Sequence, residues 1–342
     1  MMRWLIPPSL HFLAFLVFLI FSGPLEAFLE NQLSETTSSE IQSFLNSGER
    51  FTFLSADGKM HLQGIRFQHP EAKGTIVIVN GSTESWLKYG ELFLDLYHHG
   101  YSLVSYDHRG QGLSPHLLQS NPQIGHIDVF SLCADDLNAL VQHVILPSNH
   151  GKLYLLAHSM GGAVSLDYLE RFHSPFTAVA LSAPLIRINT SPYPESVTRL
   201  LITLLNAAGI GAHYAPGKHD HDPAEPFEGN PITSSRKRWE AGQLVWKNHP
   251  DAVLGGPSIN WVDQAMARTA LIRKNLPKIK ERILILQAGK DQFVMCPDQD
   301  MASKAIPEAT LVRFPDAKHE ILMERDPIRE KAIQAILNFF KN

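Results

Sequence analysis

The run Leu153-Tyr154-Leu155-Leu156-Ala157-His158-Ser159-Met160-Gly161-Gly162 constrains this chain more than any other stretch. Residues 152–157 read as a strand, apolar from Leu153 onward, and helical spacing begins at Ser159 and continues to residue 172. A strand that becomes a helix within so few residues holds the residue at the turn in a strained conformation and lifts its side chain above the sheet. The small residues Ala157, Gly161 and Gly162 let the two arms pass one another. The usual pattern is G-x-S-x-G; alanine at its first position departs from it but meets the demand for a small side chain. A serine there is an exposed nucleophile, yet the same residues also describe a plain turn between a strand and a helix. The rest of the chain must decide.

Strand and helix signals alternate on both sides of that run. Residues 51–55 and 60–67, split by Ala56-Asp57-Gly58, read as a hairpin. Residues 75–80 are a β-branched run suited to a strand buried on both faces. A helical pattern over 86–99 stops at Gly100, and 101–106 is the next strand. Helices follow at 127–145 and 159–172, with strands at 152–157 and 177–182. After residue 185 the rhythm fails until about residue 275, where helical patches and Pro/Gly loops carry no convincing strand. It resumes with a strand at 283–287, a helix at 297–305, a strand at 310–314 and a final helix at 327–340. The order implies an α/β fold: a mostly parallel sheet with helices on both faces. An insertion after the strand at 177–182 falls at the carboxyl ends of the strands, where ligands of such sheets bind, so residues 185–275 read as a helical lid.

The three elements of catalysis by a serine fall on separate strand ends. The hydroxyl needs a histidine to take its proton, and the histidine needs an acid to fix its tautomer. His319 follows the last strand and Asp291 the next-to-last, so the chain order is Ser159, Asp291, His319. With 17 histidines in the chain, the joint placement carries the inference rather than His319 alone. Asp298 and Asp316 stand as alternative acids. An oxyanion needs backbone donors; the N–H of Met160, at the start of the helix after the nucleophile, and that of Ser82, in Asn80-Gly81-Ser82-Thr83-Glu84, fit that role.

A net charge of -4 leaves no basic face, so no nucleic-acid partner is expected. His219-Asp220-His221 lies in a Pro/Gly/Asp-rich stretch without a third ligand and reads as a solvated loop rather than a metal site. Neither metal nor cofactor is expected. Cys133 and Cys296 read as free thiols. Arg3, the apolar run over 10–21 and the break at Ser22-Gly23-Pro24 make residues 1–27 a signal peptide or an N-terminal membrane anchor, cleavage being favoured. An exported or membrane-associated protein follows from that reading. Residues 28–50, rich in Ser, Thr and Glu, read as a polar tether ahead of one domain over 51–342.

Taken together, Asn80-Gly81-Ser82-Thr83-Glu84-Ser85, Tyr106-Asp107-His108-Arg109-Gly110-Gln111-Gly112-Leu113-Ser114 and Ala157-His158-Ser159-Met160-Gly161-Gly162 resemble the monoacylglycerol lipase and bacterial lysophospholipase family of α/β-hydrolases. Gly125-His126, Gly255-Gly256-Pro257, Trp261 and His319-Glu320-Ile321-Leu322 extend the likeness over about residues 50–340. The resemblance implies Ser159 as nucleophile, His319 as base, Asp291 as acid, and Ser82 and Met160 as oxyanion donors. It implies that the Asp107-His108-Arg109-Gly110 turn shapes the site without reacting. Asn80 departs from the family, which often has histidine there. The apolar residues 197–210 suit either a helix packed on the core or one facing an acyl chain and a membrane surface. The function expected is cleavage of the acyl ester of a lysophospholipid or monoacylglycerol. A proline-type aminopeptidase, with Glu225 and Glu228 holding the peptide amine, another carboxylesterase, an acyltransferase, and a non-catalytic binding protein on the same scaffold are the alternatives. Oligomeric state is left open.

Overall fold

A computed structural model describes residues 28–33, 35–148 and 151–342; the apolar segment before residue 28 lies outside the described residues. A single sheet organises the chain, with strand order β1-β2-β4-β3-β5-β6-β7-β8. The strands are β1 (Glu49–Leu54), β2 (His61–Phe67), β3 (Thr75–Val79), β4 (Ser102–Tyr106), β5 (Leu153–His158), β6 (Phe176–Ser182), β7 (Ile283–Ala288) and β8 (Ala309–Phe314). β2 runs antiparallel to both its neighbours, β1 and β4; the pairs from β4 through β8 are parallel.

Alternation along the central strands divides the core in two. Val77 and Val79 face one layer, and Ile76 and Ile78 face the other. The first layer holds α3 (Ser131–Leu140), α4 (Met160–Arg171), α7 (Ile259–Asn275) and α8 (Cys296–Ala305). The second holds α1 (Glu35–Ser47), α2 (Gly90–His98) and α9 (Asp326–Lys341). Every residue of β3, β4, β5 and β7 is buried, as expected of parallel strands covered on both faces.

After β3 the chain moves outward to β4, then returns to the other side of β3 as β5. That reversal opens a crevice at the carboxyl ends of β3 and β5. Val79 pairs with Ala157 across it, so the loop after β3 and the turn after β5 emerge side by side.

Two expectations are corrected. The stretch read as a polar tether contains the helix α1, not an extended linker: Leu45 is buried, and Phe44 stacks on Phe67 with centroids 4.4 Å apart. Ile41, Phe44 and Leu45 share one helical face, and this apolar spacing outweighs the polar composition around it. Ahead of α1, the Glu30 N–H donates to Asp326, and Ser235 Oγ donates to Glu30 Oε1 at 2.7 Å.

The second correction divides the region from 185 to 275. Its last helix, α7, belongs to the sheet's own layer: Ala265 and Ile272 are buried in the core, and Arg268 pairs with Asp167 and Glu170 of α4. Trp261 packs edge-on against Phe130 at 6.5 Å. The rest of that region carries α5 (Glu195–Leu205) and α6 (Arg236–Asn248).

Candidate active site

At the end of β5, Ser159 adopts φ 49° and ψ −115°, a left-handed value that costs a non-glycine residue energy. Its N–H is held by Ser182 O at 3.0 Å and its carbonyl accepts from Leu185 N at 2.9 Å, so β6 braces the strained turn. Gly161 has no freedom to be anything larger: a Cβ there would sit 2.3 Å from Val79 O. Ala157, wholly buried, fits the first small position of the turn.

The loops after β7 and β8 bring Asp291 and His319 to that serine. His319 Nε2 lies 2.8 Å from Ser159 Oγ, and His319 Nδ1 lies 2.7 Å from Asp291 Oδ2. With Nδ1–H donating to the carboxylate, Nε2 presents its lone pair to the serine hydroxyl, the tautomer that removal of its proton requires. Asp291 is itself oriented, its Oδ1 accepting from Phe293 N at 2.8 Å and Val294 N at 3.1 Å. The alternative acids are committed elsewhere. Asp316 pairs with Lys290, and Asp298 faces Arg187 and Arg273.

Met160 is the first residue of α4, so its N–H has no carbonyl one turn back to accept it. Ser82 sits half-buried in the loop after β3. That loop is firmly held: Gly81 N–H donates to Glu84 Oε2 at 2.6 Å, and Gln111 Nε2 donates to Gly81 O at 2.7 Å and Glu84 O at 3.0 Å. Asn80 donates from Nδ2 to Asp107 Oδ1 at 2.9 Å. Asp107 also accepts from Ser85 Oγ, Trp86 N and Leu113 N, and burial pushes its carboxyl up to about 7 against those donors. The Asp107–Gly110 turn therefore holds the loop after β3 from below, while Arg109 is locked to Asp136 at 2.6 Å.

A second group of titratable side chains stands beside the triad, and sequence reasoning missed it. Glu84 Oε2 also accepts from Tyr89 OH at 2.6 Å and lies 3.1 Å from His158 Nδ1; Glu84 Oε1 pairs with Lys88 at 3.0 Å. Lys88 bridges onward to Glu320, the residue after His319. The one available signal was a carboxylate three positions beyond Gly81, where a side chain can turn back onto the loop's backbone.

Glu225 and Glu228 are exposed, and Glu228 is taken by Arg236. In the His219–His221 loop, Asp220 accepts from Tyr214 OH and Asn121 Nδ2. Cys133 and Cys296 are free, and burial raises both thiols above their ordinary range.

Residues 70–326 match the family model of the serine aminopeptidases, S33 (Hydrolase_4). The chain belongs to this family. Within it, the chain is 32% identical over 297 residues to the probable lysophospholipase L2 of Haemophilus influenzae, a match covering 85% of this chain and 92% of that one. It is 31% identical over 319 residues to lysophospholipase L2 of Escherichia coli K12, covering 91% and 93%. Two solved structures share the fold. A soluble variant of the monoglyceride lipase of Saccharomyces cerevisiae, in complex with a substrate analog, superposes with a TM-score of 0.67 at 18% identity, covering 86% of this chain and 96% of that one. A thermostable carboxyl esterase from Bacillus coagulans gives 0.69 at 17% identity, covering 86% and 98%. The S33 member described here thus has an α/β-hydrolase fold.

Proposed function

We propose that this S33 family member hydrolyses the acyl ester of single-chain lipids, lysophospholipid or monoacylglycerol, through an acyl-enzyme on Ser159. The hydrogen-bonded chain Asp291–His319–Ser159 on a strained strand-to-helix turn carries the reading. Relatives named lysophospholipase and monoglyceride lipase support the substrate class.

In this mechanism Ser159 Oγ attacks the ester carbonyl as its proton passes to His319 Nε2, and Asp291 stabilises the imidazolium. The N–H groups of Met160 and Ser82 hold the oxyanion. Collapse expels the glycerol-bearing alkoxide, which takes the proton from His319. Water then attacks the acyl-serine with His319 again as base, releasing the fatty acid and restoring Ser159.

Helix α5 acts as a lid that meets lipid. Val197, Leu200, Leu201 and Leu204 recur on one face and are 53%, 62%, 50% and 58% exposed, while Ile202 alone in that helix is buried. Such an unpartnered stripe suits an acyl chain or a membrane surface. Export or anchoring through the segment before residue 28 belongs to the same reading.

The test is fatty-acid release by the purified protein from lysophosphatidylcholine, lysophosphatidylethanolamine and monoacylglycerol, with Ser159→Ala alongside and a proline-aminoacyl amide as the peptidase control. Serine-dependent release from any single-chain lipid is the expected result. Cleavage of the amide alone would make the protein a peptidase and overturn the reading.

A further inference from the structure

His158 precedes the nucleophile in the chain, and its ring lies against the catalytic histidine with centroids 4.9 Å apart. As the last residue of β5 it is buried, yet it sits against charged side chains. The titratable groups that face it are Glu84 from the oxyanion loop, Lys88 and Tyr89 from the turn Trp86–Tyr89, and His319 and Glu320 from the loop after β8. Glu84 joins these elements. One of its oxygens holds Gly81 N–H, Tyr89 OH and His158 Nδ1, and the other holds Lys88, which reaches across to Glu320. The loops carrying Ser82, Ser159 and His319 are therefore tied through one buried, ion-paired cluster.

We propose that His158 is a positioning residue for the triad: clamped by Glu84, it backs the ring of His319 and locks the oxyanion loop to the nucleophile strand. This role rests on the triad reading of Ser159, His319 and Asp291. Burial opposes a charge on His158, but the contact with Glu84 outweighs burial and holds the imidazole above its ordinary value. Glu84 keeps its carboxyl well below the usual range despite its own burial, because Lys88 and His158 face it. His158 Nε2 has no protein partner. A cavity of about 10 Å³ beside the cluster is lined by Glu84, Tyr89, His158, Glu320, Leu322 and Met323.

The consequence is geometric. The ring of His158 backs the ring of His319, and its bond to Glu84 fixes the loop after β3 against the end of β5. A replacement that loses the ring and the bond lets Ser82, Ser159 and His319 shift relative to one another, which lowers kcat more than it changes KM. A strut that only held the fold would change stability without that split.

The experiment measures kcat and KM with p-nitrophenyl butyrate, a soluble ester that needs no lipid surface, for the wild-type protein, Ser159→Ala, His158→Gln and His158→Met. Thermal melts check that each variant is folded. In whichever His158 variant folds, kcat is expected to fall about tenfold or more, with KM within about twofold of wild type. A folded variant with wild-type kcat overturns the role of His158, as does loss of cooperative melting in both variants, which would make the residue a structural strut. Failure of the triad reading is separately visible, as wild-type turnover in Ser159→Ala.

Discussion

The carboxyl edge of the sheet and helix α5 use the same aliphatic side chains in opposite ways. In β5, Leu155 and Leu156 are wholly buried, and the strand delivers Ser159 to a fixed place. In α5, Leu200 and Leu204 stand in solvent. Burying one leucine side chain is worth roughly 1.5–3 kcal/mol, so the exposed stripe of α5 leaves several such contributions unused. The strands are rigid because their apolar surface is fully matched. The helix keeps unmatched surface, which suits an element that meets a lipid. Precision and adaptability are thus assigned to different parts of one chain.

Substitutions probe that division, and the largest effect belongs to the strand end. Ser159→Ala should cut turnover by about 10⁴-fold or more while leaving the melting temperature near wild type, because alanine fits the same turn. Substantial residual activity would remove the serine from the mechanism. Asp291→Asn should cost about 10³- to 10⁴-fold in kcat by releasing the tautomer of His319, with the fold intact. A nearly silent Asp291→Asn would mean that the hydrogen bond at Nδ1 does not control the base.

Stability sharpens the contrast further. Leu156→Ala should lower the unfolding free energy by about 2–5 kcal/mol in urea titrations, since a packed layer cannot refill the space. Leu200→Ala should change it by no more than about 0.5 kcal/mol. If the two cost the same, α5 is not the free surface described here. The double variant Leu200→Ser with Leu204→Ser should reduce fatty-acid release from monoacylglycerol in vesicles several-fold, yet leave p-nitrophenyl butyrate hydrolysis within about twofold of wild type. Equal losses on both substrates would place the helix in the catalytic machinery instead of at a lipid surface.

Much of the frame was legible because it is written in local periods. Unbroken apolar runs such as 75–80 and the abrupt change at Ser159 are properties of neighbours in the chain, and they survive without knowledge of the fold. Helix α1 was misread because its polar residues dominate the composition; only docking on the α2 side of the sheet reveals that Ile41, Phe44 and Leu45 are what matter. Helix α7 was placed in the lid because its mixed pattern does not tell which surface it covers, a question settled by Arg268 reaching Asp167. In the site, Ser159 and His319 were readable from strand order. The Glu84–His158 pair was not, because a side chain 74 positions away leaves no trace in the local pattern.

The sequence by itself determined the alternation of strands and helices, the strained serine turn and the chain order of Ser159, Asp291 and His319. These depend on backbone conformation and side-chain period, which each short segment expresses alone. Tertiary structure decided which aspartate meets His319, which leucines stay in solvent and how Glu84 joins three loops. Those outcomes depend on distances between segments far apart in the chain, and such distances exist only once the sheet has closed and the loops at its carboxyl edge share one crevice.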